Sequence, residues 1–356
     1  MYDIRGLMLD PARLTERRTV YRDYIAMAAQ WRYNALFWHF TDDQGCALRF
    51  PSHPELASPY AYAPDEMREL IAFAARHGME VIPELECFGH AEFITAHPRY
   101  QHLRDGVHGK LFGALCVFEP EARALLRDLL RDTAEIFPSP YLHAGLDETA
   151  FGAHPASARA LARTPKHLLY AEHVCWLHSE ITRLGKTMMM WADHLYPLSA
   201  RELKRAAYLD AESINSAIAE QLPRDIIMCV WQYNPKPRSA YVEHLQRLGF
   251  RVLVCPATSA WGLLVHPRTW NLQNLADSAH LARRRRVLGM INTVWCPHRY
   301  FPGVTLFGVA YGAVCRDARQ THPQPPYARF VRDTFGIAAP APVARAIKRL
   351  HEATPH

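Results

Sequence analysis

None of the eight cysteines stands in a C-x-x-C spacing, and none has the spacing of a zinc site. Disulfide-framework and zinc-finger classes are thereby set aside. Cys229 and Cys255 lie inside apolar runs, where cysteine behaves as a small buried hydrophobe. That usage fits a reduced, intracellular setting. The opening MYDIRGLMLD lacks an apolar leader, and nowhere do ~18 apolar residues run together. The expectation is a cytoplasmic protein with no membrane partner, although a segment upstream of Met1 is left open. No repeat of 20–50 residues is visible, and no low-complexity linker divides the chain. A strong charge of one sign is also missing, since the net charge is +6 over 356 residues. The one basic cluster, residues 283–286, closes an amphipathic stretch and reads as a helix C-terminus, so nucleic acid is not an expected partner.

What remains is an ordinary enzyme-like composition, 49% hydrophobic and 21% charged, with material for a large core. Short apolar, β-branched or aromatic runs alternate with helix-length segments. Strands are expected over residues 6–10, 35–40, 80–86, 141–149, 188–193, 226–233, 251–257 and 287–295. Helices are expected over 15–31, 65–77, 120–137, 165–184, 240–248 and 271–285. Eight strand–helix units imply a parallel sheet closed into a (β/α)8 barrel. The strands are near-continuously apolar, as sheets covered on both faces require. The expected organisation is one α/β domain, a TIM barrel over residues 1–320. A C-terminal extension over 321–356, helical at 327–335 and 342–351, packs on its outside.

The stretch YLHAGLDET, residues 141–149, runs from an apolar strand pattern into two adjacent carboxylates, Asp147 and Glu148. Two neighbouring carboxylates repel, which pushes their pKa values apart and suits general acid/base work. Taken alone, such a pair more often marks a helix N-terminus. The other strand ends reverse that reading. They carry Asp10 and Arg13; His39, Asp42 and Asp43; Glu84, Glu86 and His90; His143; Trp191 and Asp193; Trp231 and Tyr233; and Trp295. Active sites of such barrels sit at these ends. Acids, histidines, an arginine and several tryptophans together describe a sugar site.

Six segments in order make the resemblance specific. RGLMLDPAR, RYNALFWHFTDDQG, IPELECFGH, LHAGLDE, MMMWAD and the late VW and TVW pairs resemble the motifs of a family-20 glycoside hydrolase, a β-N-acetylhexosaminidase. FGHAEF and TSAWG…NTVWCPHRYF look closer to the hexosaminidase D branch than to the lysosomal one. The resemblance implies an exo-acting retaining enzyme in which the substrate's 2-acetamido oxygen is the nucleophile, an exception to the two-carboxylate scheme. By the same resemblance, Asp147 holds the acetamido nitrogen and Glu148 is the proton donor. His90 with Asp42 buffers the charge of Glu148, and Arg13 binds sugar hydroxyls. Trp191, Trp231 and Trp295 wall the pocket, with Tyr233, His143 and Glu86 as further substrate-side residues. No metal and no cofactor are expected. The expected partner is an oligosaccharide ending in N-acetylhexosamine, and self-association into a homo-oligomer is left open.

Departures from the family pattern keep alternatives in view. Leu146 stands where the family has a second glycine, and Glu86 replaces its aspartate. Phe88 replaces a proline, and Pro297 stands where the family has a final acid. TSAWG, residues 258–262, stands where the family's acetamido-orienting tyrosine is expected; Tyr233 is a candidate substitute. One alternative is a barrel that keeps the pocket and binds sugar without turnover. Another is a metal-dependent hydrolase using His39, His90 and His143, against which stands the missing H-x-H of a first strand.

Overall fold

The computed structural model describes residues 2–106, 113–199, 215–258, 268–296 and 302–353. Pro297 and most of TSAWG therefore lie outside the described residues. Ten strands form among those described. Two of them, β3 (Thr41–Asp42) and β4 (Gly45–Cys46), pair as a small antiparallel hairpin that the sequence reading did not anticipate. The other eight are β1 (Ile4–Leu9), β2 (Ala35–His39), β5 (Glu80–Glu84), β6 (Tyr141–His143), β7 (Thr187–Trp191), β8 (Ile227–Trp231), β9 (Arg251–Cys255) and β10 (Gly289–Val294). They close into a parallel barrel in chain order, with β10 returning to pair with β1. The expected (β/α)8 architecture is therefore present.

Helices α1 (Arg18–Gln30), α2 (Pro64–Arg76), α3 (Glu92–Thr95), α4 (Pro120–Ile136), α5 (Pro155–Leu161) and α6 (Lys166–Arg183) occupy the first half of the wrapping. Proline opens α2 and α4 at the first turn, where its missing N–H costs nothing. Between β7 and β8 the described residues hold two 3-10 turns, Asp193–Leu195 and Ser216–Gln221. The second half continues with α7 (Ser239–Arg247), α8 (Gln273–Arg285) and α9 (Pro302–Asp317). Beyond it, α10 (Tyr327–Phe335) and α11 (Ala341–Ala353) cover the outer face of α9. Phe307 of α9 stacks on Tyr327 at 4.3 Å and meets Phe330 edge-on at 5.3 Å. All eight cysteines are free thiols. Among the described residues no helix is long and apolar enough to cross a membrane.

The interior follows from strand periodicity. Side chains two apart share a face, so each strand sends a column of residues inward. The lower layers are apolar, built from Ile4, Met8, Phe37, Ile82, Met189 and Ile291. One step further up, the same columns change chemistry. Phe37 is followed by His39, Ile82 by Glu84, Met189 by Trp191, Cys229 by Trp231, and Thr293 by Trp295. A dry apolar plug thus carries a charged and aromatic layer on top.

Candidate active site

The expected fourth strand, 141–149, is shorter than its apolar pattern suggested. β6 stops at His143, and the chain then turns through left-handed conformations at Gly145, Leu146 and Glu148, with φ of 66°, 79° and 47°. This backbone, not strand alternation, points two consecutive acids the same way. Its amides are held from outside the loop. Glu148 N–H donates to Asp193 Oδ2 at 3.0 Å, and Thr149 N–H donates to His194 Nε2 at 3.1 Å. The Tyr170 hydroxyl donates to the Leu146 carbonyl at 2.8 Å. The neighbouring loop must also come close. A Cβ on Gly89 would fall 2.6 Å from the Asp147 carbonyl oxygen, so that position has to lack a side chain.

His90 joins the parts. Its Nε2 lies 3.3 Å from Glu148 Oε2 and 3.7 Å from Asp147 Oδ2. Its Nδ1 lies 3.4 Å from Asp42 Oδ1 and 3.6 Å from Asp43 Oδ2. Burial alone would lower the imidazole, but Asp42 and Asp147 hold it well above its ordinary range and keep it charged. Asp42, also buried, is held well below the carboxylate range by His90 and Arg13. Burial pushes Asp147 up to about 6, with His90 opposing and Glu148 adding to the rise. Glu148 is the more exposed partner, with 17% of its side chain accessible against 12% for Asp147.

Arg13 closes the other side. It pairs with Asp42 at 2.6 Å and Asp10 at 3.1 Å, and its guanidinium stands 5.0 Å from the Trp295 ring. Trp295 donates its indole N–H to the Tyr233 hydroxyl at 2.8 Å, and Tyr233 stacks on Trp231 at 5.1 Å. Trp231 and Tyr233 are half-buried, whereas Trp191 lies beneath Trp295, 6.1 Å between ring centres. Of the predicted wall residues, Trp231, Tyr233 and Trp295 are neighbours around one mouth, whereas Trp191 is buried under them.

Two expectations of direct substrate contact meet a different placement. His143 and Glu86 are fully buried. His143 sits below Trp191, its Nδ1 3.4 Å from Glu84, and burial pushes it down to about 4. Glu86 lies under Gly145, where a Cβ would collide with its carboxyl. Both belong to inward columns that end below the mouth, which places them under the pocket.

Glu84, which the sequence reading gave no role, is the hub of that layer. It accepts from the Trp191 indole at 2.6 Å and faces His39 at 3.1 Å and His143 at 3.4 Å. Despite its burial, charged His39 and the Trp191 indole N–H hold it below the ordinary carboxylate range. The signal was a glutamate two residues before Glu86 in an otherwise apolar strand. Asp193, two residues after Trp191 in its column, also went unassigned; burial and Asp147 push it well up.

Three clusters could hold a cation by distance: His39, Glu84 and Glu86; Asp42, Asp43 and His90; and His90, Asp147 and Glu148, their ligand atoms within 4.8 Å of one another. In each, the surrounding carboxylates raise the histidine well above its ordinary range, so in this arrangement the ring is a cation among carboxylates. The arrangement suits proton transfer and stabilisation of positive charge above the Asp147–Glu148 pair.

Comparison with known proteins bears on the family and the fold. A β-hexosaminidase of Vibrio furnissii is 25% identical over 340 residues, covering 83% of this chain and 52% of the relative. Human hexosaminidase D is 32% identical over 154 residues, covering 42% of this chain and 31% of the relative. The chain thus spans about half or less of the length of these curated relatives. Among solved structures, a β-N-acetylhexosaminidase from Bacteroides fragilis superposes with a TM-score of 0.72 at 18% identity, covering 94% of this chain and 70% of that one. That likeness speaks for the fold. The family model for the catalytic domain of glycosyl hydrolase family 20 matches residues 2–290. The chain belongs to glycosyl hydrolase family 20.

Proposed function

We infer that the barrel hydrolyses terminal β-linked N-acetylglucosamine or N-acetylgalactosamine from the non-reducing end of oligosaccharides, with retention at the anomeric carbon. The observation that carries this reading is the junction of Asp147, Glu148 and His90 beneath a rim of Trp231, Tyr233 and Trp295. The substrate's acetamido carbonyl oxygen attacks the anomeric carbon as the glycosidic bond breaks. Asp147, as the anion, accepts the amide N–H and offsets the positive charge of the oxazolinium ring. Glu148 gives its proton to the leaving oxygen, then takes one from the water that reopens the ring. Charged His90 stabilises whichever carboxylate is anionic, and Arg13 offers donors to ring hydroxyls. Positioning the internal nucleophile is worth a large rate factor, which is why a tight aromatic wall matters.

The test is hydrolysis of 4-nitrophenyl N-acetyl-β-glucosaminide and the galactosaminide, with the product anomer followed by NMR. Native protein should release β-anomer first. Glu148→Gln should lose roughly 10²–10⁴-fold in kcat/KM, the range of positioned general acid/base groups. A native protein that cleaves neither glycoside, or a variant with full activity, would sink the reading.

A further inference from the structure

The barrel mouth is crowded with carboxyl groups, and among the described residues all but one have a basic side chain or a hydrogen-bond donor within reach. Asp10 and Asp42 pair with Arg13, Glu84 with His39, and Asp43 with His90. Asp147 and Glu148 share His90, and Asp193 accepts the Glu148 N–H at 3.0 Å. Glu86 has no such partner among the described residues. It is fully buried, and neither carboxyl oxygen makes a hydrogen bond. Its backbone is fixed, because its N–H donates to Thr41 Oγ1 at 2.8 Å.

The groups facing it do not favour charge. Glu84 and Asp147 repel an anion here, and Tyr170 from α6 stands nearby as a neutral phenol. His39 and His90 are the cations in range, and both are already engaged by other carboxylates. An unpaired, unbonded carboxylate in such a place is strongly disfavoured, whereas its protonated form is tolerated. Burial with Asp147 and Glu84 pushes Glu86 well above the carboxylate range, in line with that geometry.

We propose that Glu86 is carried as a neutral carboxylic acid and acts as a positioning residue, its head seated against Gly145 beneath the Asp147–Glu148 loop. An anion at this place would force a proton onto Asp147. A neutral one leaves Asp147 free to meet the substrate's amide as a carboxylate. The inference rests on the assignment of Asp147 as the amide-binding group, but its first test does not.

That test is infrared. The native-minus-Glu86→Gln difference spectrum at pH 7 should contain the carbonyl stretch of a protonated carboxylic acid, and a spectrum without that band overturns the proposal. The second test is kinetic, with 4-nitrophenyl N-acetyl-β-glucosaminide. Glu86→Ala should lower kcat about tenfold or more with KM nearly unchanged, since a small misplacement of the reacting groups is costly. Glu86→Gln, neutral and of the same shape, should restore kcat and leave the acid limb of the pH–rate profile in place. A Gln variant as impaired as the Ala variant, or one whose acid limb moves down by more than about half a unit, overturns the proposal. If native protein cleaves no glycoside, the functional reading fails while the infrared band still decides the state of Glu86.

Discussion

At the scale of single residues, the site stores an electrostatic cost in Asp147. The carboxyl titrates at about 6 in the folded chain against an ordinary value of 3.8, chiefly through burial. Between those values the folded state holds a proton that the unfolded state has lost, so this group's contribution to stability falls as pH rises toward 6 and stays low above it. Asp147→Asn should therefore melt higher than native protein at pH 8, by about 2–4 °C per kcal/mol relieved, with the gain shrinking toward pH 4. The same variant should be nearly inactive. Native kcat/KM should decline below about pH 6 as Asp147 takes up its proton. Melting curves and a pH–rate profile check both, and a variant less stable than native at pH 8 would refute the assignment. The motif segments singled out Asp147, Glu148, His90, Asp42 and Arg13, and the fold brings these five side chains together. It left Glu84 without a role, and it set His143 and Glu86 against the substrate. Depth below the rim depends on where each column stops, and residue type does not encode that.

At the scale of elements, the loop after β6 sets the site. Apolar runs marked all eight barrel strands, since each is covered on both faces. The early end of β6 was hidden, because the bonds that draw the loop out of the sheet come from Tyr170, Asp193 and His194, 24 to 45 residues away. Leu146 is the informative residue. At φ 79° a side chain costs about 1–2 kcal/mol. Its complete burial returns about 1.5–3 kcal/mol. Leucine can thus hold a place that the family gives to glycine. Leu146→Ala keeps the strain and loses the burial, whereas Leu146→Gly loses the burial but sheds the strain. The glycine variant should be the more stable of the two by about 1 kcal/mol, the reverse of the usual order. Chemical denaturation would show it, and an alanine variant at least as stable would mean that the backbone is not strained here.

At the scale of the whole molecule, an apolar plug closes the lower barrel and two added helices cover α9. Deleting residues 321–356 should uncover the nearly buried Phe307 ring, at a cost of about 1.5–3 kcal/mol from that side chain alone. The expected result is a lower melting temperature; unchanged melting would show that the extension does not support the barrel. The barrel class was readable because strand–helix alternation leaves few other ways to cover both faces of a sheet. The hairpin of β3 and β4 was not, since two-residue strands carry no periodic pattern. The floor of the mouth has one more consequence. The indoles of Trp191 and Trp295, 6.1 Å apart and inclined by 50°, are close enough for their excited states to couple. Such a pair gives the near-ultraviolet circular dichroism a component of its own, so the site carries an unlabelled optical reporter of whatever enters it.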